Sequence, residues 1–226
     1  MAERLILIRH GQSTANLASC FLGRLDAPLS EWGKQQILAL AAYFSAQKIQ
    51  PWVVHSSPLL RARESAELLF PVAPRFDDRL VEQSFGAWER LGREEAQAAF
   101  PTDFQAWSSG DPSFAPTGGE SLQQVAGRLR SWLDEVLLPL LPASPNGPME
   151  GPTIPAPAKP PQSSGGGIQA VVAHGSLLQT LLCLLLRTPL NNHWPFRFHQ
   201  AGWAELERGE HGFSLLSFQA PPSAHS

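Results

Sequence analysis

Residues 4–16, Arg4-Leu5-Ile6-Leu7-Ile8-Arg9-His10-Gly11-Gln12-Ser13-Thr14-Ala15-Asn16, decide the fold reading. Leu5 to Ile8 is a short apolar, partly β-branched run, the pattern of a buried strand. It stops at Arg9-His10-Gly11, which places a cation and an imidazole where the strand leaves its sheet. In open α/β sheets that edge, beyond the carboxyl ends of the strands, is where ligands bind. Gly11 is expected to let the backbone turn sharply there. A guanidinium beside an imidazole suits an anion such as phosphate, because Arg can grip two oxygens at once.

The same arrangement recurs near the other end of the chain. Ile168 to Ala173 is a second apolar run, and it ends in His174-Gly175-Ser176, with Ser176 read as the cap of the apolar helix that follows. Between the two, Ser30 caps a helix from Glu31 whose Ile37, Leu40, Ala41 and Phe44 recur at helical spacing. Trp52 to His55 reads as a strand. Ser57-Pro58 is a helix-start signal, with Ser57 as cap and Pro58 at the first helical position. Arg61 then falls in the first turn, against the helix dipole, a placement that a bound anion would offset.

Glu82 is a loop carboxylate. Residues 92–107 read as irregular helix interrupted by Pro101. Glu120-Ser121 opens an amphipathic helix with Leu122, Val125, Leu129 and Trp132 on one face. Residues 86–120 are expected to cover the sheet edge like a lid. Gly202 to Gln219 alternates around Arg208-Gly209-Glu210-His211-Gly212, the pattern of a hairpin. Strands alternating with helices place the chain in the α/β class.

The 226 residues, 43% of them hydrophobic and 16% charged, suffice for one core, and a single domain over 1–220 is expected. Residues 139–167 are almost wholly Pro, Gly, Ser and Ala, and are read as a disordered insertion. Residues 221–226 are read as a frayed tail. A net charge of −3 gives no support for nucleic-acid binding, so positive charge at a phosphate site must be local. Cys20 and Cys183 lie far apart without metal spacing, which fits a reducing cytoplasm with neither disulfide nor zinc. No secretory signal is apparent. The most apolar run, Leu177 to Leu186, falls short of the roughly 20 residues of a membrane span.

Leu7-Ile8-Arg9-His10-Gly11-Gln12-Ser13 resembles the signature of the histidine phosphatase superfamily, the phosphoglycerate mutase-like clan. The likeness continues, in the family's order, through Asn16, Gly23, Asp26 to Ser30, Ser57 to Ala62, Glu82, Phe85 to Glu89, Gly118 to Ser121 and Ala173-His174-Gly175. It implies a three-layer α/β/α sandwich with a mostly parallel central sheet. It also implies a cytoplasmic phosphomonoesterase that works without metal or cofactor, with His10 as nucleophile and Glu82 as proton donor and acceptor. His174, Arg9, Asn16, Gly23, Arg61 and Gly175 would hold the phosphoryl group of a small phosphorylated substrate.

A phosphoglycerate mutase is disfavoured because residues 92–118 hold a single Arg, Arg93, where such mutases carry an adjacent pair. A catalytically weak regulatory member of the fold is the second alternative. Two residues depart from the pattern: Cys20 stands where many members have Arg, and Arg90 where Gly is usual.

Overall fold

A computed structural model describes residues 3–18, 20–138 and 167–222. Most of the segment read as disordered, 139–166, lies outside the described residues, as do 223–226 of the tail.

Six strands form one mixed sheet: β1 (Glu3–Arg9), β2 (Val53–Ser56), β3 (Arg75–Phe76), β4 (Ile168–Ala173), β5 (Trp203–Gly209) and β6 (Gly212–Gln219), in the order β3-β2-β4-β1-β5-β6. The first four neighbours run parallel; β5 and β6 add the expected antiparallel hairpin. Among the described residues six α-helices accompany them: α1 (Glu31–Ala46), α2 (Leu60–Leu69), α3 (Arg93–Ala99), α4 (Pro101–Ser108), α5 (Leu122–Trp132) and α6 (Gly175–Leu185).

The period-two alternation of β1 divides the core. Ile6 and Ile8 face α1 and α2, packing with Ile37, Leu40, Ala62 and Ala66. Leu5 and Leu7 face α5 and α6, with Val125, Leu129, Leu177 and Leu181. Each such Leu, Ile or Val side chain removed from water is worth roughly 1.5–3 kcal/mol. The sheet is thus covered on both faces, the three-layer α/β/α sandwich.

β1 and β4 are neighbours in register from Arg4↔Ile168 to Arg9↔Ala173, so the Arg9-His10 and His174-Gly175 ends emerge side by side. The chain then leaves β1 for one face of the sheet and β4 for the other. That divergence opens a crevice at the strands' carboxyl edge.

Gly11 serves a different purpose from the one expected. Its φ is not positive; instead a Cβ there would meet the Gly33 carbonyl oxygen at 2.5 Å, and a Cβ on Gly33 would meet the Gln12 oxygen at 1.9 Å. Two glycines let the loop after β1 rest on the first turn of α1. Ser30 caps that helix as expected, accepting from Gly33 N at 3.0 Å.

Two helix starts differ from the sequence reading, and a third differs only in its partner. α2 begins at Leu60, two residues after Pro58, and its leading N–H donates to Asp26 Oδ1 at 2.7 Å. α6 begins at Gly175 with His174 at the cap position, so Ser176 lies in the first turn and caps nothing. In α5 Ser121 is the cap as read, in a capping box with Gln124, while Glu120 instead pairs with Arg24 and Arg128. β3 was not expected; two exposed residues carry no alternation to read.

Residues 86–120 gather around the fully buried Trp88, which forms a small core with Ala96, Phe104 and the preceding Phe85. Next to it, Arg90 has φ +74° and is exposed. The left-handed region costs a non-glycine residue roughly 1–2 kcal/mol, a cost that Gly, usual here in the family the sequence resembles, avoids. Arg90→Gly is expected to stabilise the fold by about 1 kcal/mol, less than the full relief because glycine also loses more chain entropy. The midpoint should rise by about 2–4 °C in a thermal melt; a fall would contradict the strain argument.

Candidate active site

The carboxyl ends of β1 and β4 border a cavity of about 860 Å³. Arg9, His10, Asn16, Gly23, Arg61 and Glu82 all line it, together with Gly175 at the start of α6. His174 does not line it. Its ring lies fully buried beside His10, centroids 5.1 Å apart.

His10 is 2% exposed, and its Nδ1 lies 2.6 Å from the Gly11 carbonyl oxygen. A carbonyl can only accept, so Nδ1 carries the hydrogen and Nε2 keeps its lone pair. Burial pushes the His10 pKa well below its ordinary value, and the Arg61 and Arg9 charges push it further the same way. The ring is therefore neutral, with its nucleophilic nitrogen free.

Ser57, expected to cap α2, instead stands 2.8 Å from His174 Nε2. Its Oγ already accepts from Leu59 N at 3.3 Å. The hydroxyl's own hydrogen can then go to Nε2, which places the ring hydrogen on Nδ1, a buried atom without a partner.

Arg61 is 1% exposed and donates to two neutral carbonyls, Leu25 at 2.5 Å and Gly23 at 2.9 Å. The positive φ of Gly23, +50°, turns that carbonyl toward the guanidinium. Arg9 donates to the Phe198 carbonyl at 2.7 Å. Neither arginine forms an ion pair among the described residues. Burial lowers both pKa values, and in both cases the Glu82 charge opposes it. Buried charges are ordinarily paired, so two such cations beside a neutral imidazole make a setting that favours an anion.

Asn16 turns its oxygen to Ser13, accepting from N and Oγ at 2.9 Å each, which leaves its NH₂ group for a ligand. Glu82 spans the end of α6: Oε1 accepts from Leu177 N at 3.0 Å and from Gln83 N at 2.9 Å, and Oε2 from Ser176 N at 3.3 Å. The carboxylate thus does the capping expected of Ser176, and this fixes it at the cavity wall. Oε2, with one long bond, is the less occupied oxygen.

A model of the histidine phosphatase superfamily (branch 1) matches residues 5–138 and 159–221. The chain belongs to the histidine phosphatase superfamily. It is 35% identical over 211 residues to a glucosyl-3-phosphoglycerate phosphatase of Mycobacterium tuberculosis, covering 91% of this chain and 85% of that one. Phosphoserine phosphatase 1 of Hydrogenobacter thermophilus is 29% identical over 211 residues, 92% of this chain and 87% of that one. Among solved structures, mycobacterial glucosyl-3-phosphoglycerate phosphatase in complex with VO3 superposes with a TM-score of 0.78 at 31% identity, over 97% of this chain and all of that one.

Sequence reasoning missed the segment 197–200 in this histidine phosphatase. Arg197, His199 and Gln200 line the cavity, yet they follow no strand and match no motif. Pro221, read as tail, also lines it. Cys20, one of the two departures from the family pattern, stands at its wall as well.

Burial lowers the pKa of His10, His174 and His193, and that of His55 to about 4. Below pH 6.5 the unfolded chain binds protons that the folded chain refuses, so stability falls as pH drops. Glu3, raised to about 7 by burial, acts in the opposite sense between about 4.5 and 7, but it is one group against four. His55 alone contributes a slope of about 1.4 kcal/mol per pH unit between 6.5 and 4. Urea unfolding at pH 5 should therefore give a lower stability than at pH 7; equal midpoints would contradict neutral burial.

Proposed function

We propose that this chain hydrolyses a small phosphomonoester through a phosphohistidine on His10. The observation that carries the reading is the pair of guanidiniums, Arg9 and Arg61, held beside a neutral His10 without a carboxylate partner. His10 Nε2 attacks phosphorus in line. Arg9, Arg61, the Asn16 amide and the Gly175 backbone hold the nonbridging oxygens, and His174 Nδ1–H donates to the group from beside His10. Charge that spreads over those oxygens in the transition state is met by donors already in place.

Glu82 gives a proton to the leaving oxygen, then takes one from the water that cleaves the phosphohistidine. The positive charge comes from the protein itself, so we propose that no metal takes part, in a cytoplasmic enzyme. Hydrolysis is favoured over mutase action because Arg93, the only arginine in 92–118, already lies over the Phe104 and Trp107 rings, 4.9 and 5.2 Å from their centroids.

The test is to quench the enzyme during turnover of p-nitrophenyl phosphate and map the phosphorylated peptide. Phosphate on the His10 peptide with net phosphate release is expected. Interconversion of 3- and 2-phosphoglycerate without hydrolysis would overturn the reading.

A further inference from the structure

The chemistry above concerns the phosphoryl group, which fills only a fraction of a cavity of about 860 Å³. Pockets of roughly 300–1,000 Å³ take whole drug-sized ligands, so the remaining walls face the alcohol half of the substrate. We infer that Arg197 recognises a second anionic group, a carboxylate, on that alcohol half, whose body lies against Phe21 and Trp107. The inference rests on the phosphatase reading of the same cavity.

Arg197 is exposed, lines the cavity, and makes no hydrogen bond or ion pair from its guanidinium among the described residues. The other arginines nearby are engaged. Arg9 and Arg61 donate to carbonyls around His10, Arg24 pairs with Glu120, and Arg93 stacks on aromatic rings. Glu82 is the sole carboxylate among the described lining residues, so little in the wall repels an acidic ligand. A planar guanidinium matches a carboxylate in a two-point grip.

The position of Arg197 is fixed relative to the reacting group. Its neighbour Phe198 is buried, packs at a tilt against Phe218 with centroids 4.8 Å apart, and gives its carbonyl to Arg9. Two further backbone bonds tie the segment to the catalytic strand: Ala201 N to the His10 carbonyl at 3.1 Å, and Arg9 N to the Gly202 carbonyl at 3.0 Å. Ala201 holds φ +56° while fully buried, a strained conformation that its surroundings enforce. Arg197 is therefore carried on a braced support.

The body of the alcohol has a matching wall. Phe21 packs against Phe85 at 5.0 Å and edge-on to Trp107 at 5.5 Å, and all three line the cavity. Such faces take the flat apolar side of a ring. The combination selects a phosphomonoester with a ring or compact apolar body and an acid beyond it.

The experiment compares phenyl phosphate with 4-carboxyphenyl phosphate, in the native enzyme and in Arg197→Ala and Arg197→Lys. The native enzyme is expected to show a KM roughly tenfold lower for the carboxylated substrate, the effect of one charge-assisted contact. That advantage should shrink with added salt. Arg197→Ala should abolish it while leaving kcat and KM for phenyl phosphate within about twofold, and Arg197→Lys should restore part of it. Equal KM values in the native enzyme, or an equal loss on both substrates in Arg197→Ala, would overturn the proposal and leave the phosphatase reading standing. Failure of the native enzyme to hydrolyse either ester would overturn both.

Discussion

His10→Ala is expected to lower kcat by roughly 10⁴–10⁶-fold, the scale on which removal of a covalent nucleophile acts. Of the two buried imidazoles packed against each other, only His10 lines the cavity. His174 Nε2 is turned to Ser57, and its Nδ1 is left to carry the ring hydrogen. The fold should survive, because His10 is held by its backbone: N donates to the Ala173 carbonyl and O accepts from Ala201 N, at 3.0 and 3.1 Å. Loss of the ring also removes one buried histidine from those that weaken the protein in acid.

His174→Ala should cost less, about 10²–10³-fold, as the loss of one transition-state donor. Assays of phosphate release, with thermal melts as the folding control, check both. Unchanged turnover in His10→Ala would remove the basis of the site assignment.

Most of the fold was legible in the sequence because β1, β4, α1 and α5 are long enough to show a period and carry their own start signals. Three of the places where the reading failed share one cause: a local signal had been taken over by a distant partner. Ser57-Pro58 has the composition of a helix cap, but His174, 117 residues away in the chain, takes the serine hydroxyl, and Asp26 caps α2 in its place. Ser176 has a cap's composition too, yet the Glu82 carboxylate reaches the N–H groups of α6 first. Gly11 looked like a turn glycine and proves to be a contact glycine, shaped by Gly33 on α1.

In the site, Arg9, His10 and Arg61 could be found because each sits at an element boundary. Arg197 could not, since its position depends on Phe198 and Ala201 closing a loop back onto β1.

Glu82→Gln is expected to slow turnover of an alkyl phosphate by roughly 10²–10⁴-fold, the range of a lost acid–base group. The structure adds two conditions to that expectation. Glu82 also caps α6, and glutamine can accept through one oxygen only, with its NH₂ turned against a backbone N–H. A stability loss of about 1 kcal/mol should therefore accompany the kinetic one. Inhibition by inorganic phosphate should change little, because the proposed holders of that ion, Arg9 and Arg61, keep their carbonyl contacts.

With p-nitrophenyl phosphate, the two proton transfers separate. The nitrophenolate leaves without a proton, so phosphorylation of His10 proceeds nearly as in the native enzyme. Hydrolysis of the phosphohistidine still needs a base for its water and stalls. Rapid mixing of Glu82→Gln with this ester should give a burst of nitrophenolate equal to the enzyme concentration, followed by a slow steady state and phosphate retained on His10. A variant that turns over slowly from the start, with no burst and no retained phosphate, would place Glu82 outside the second step and leave it only the capping of α6.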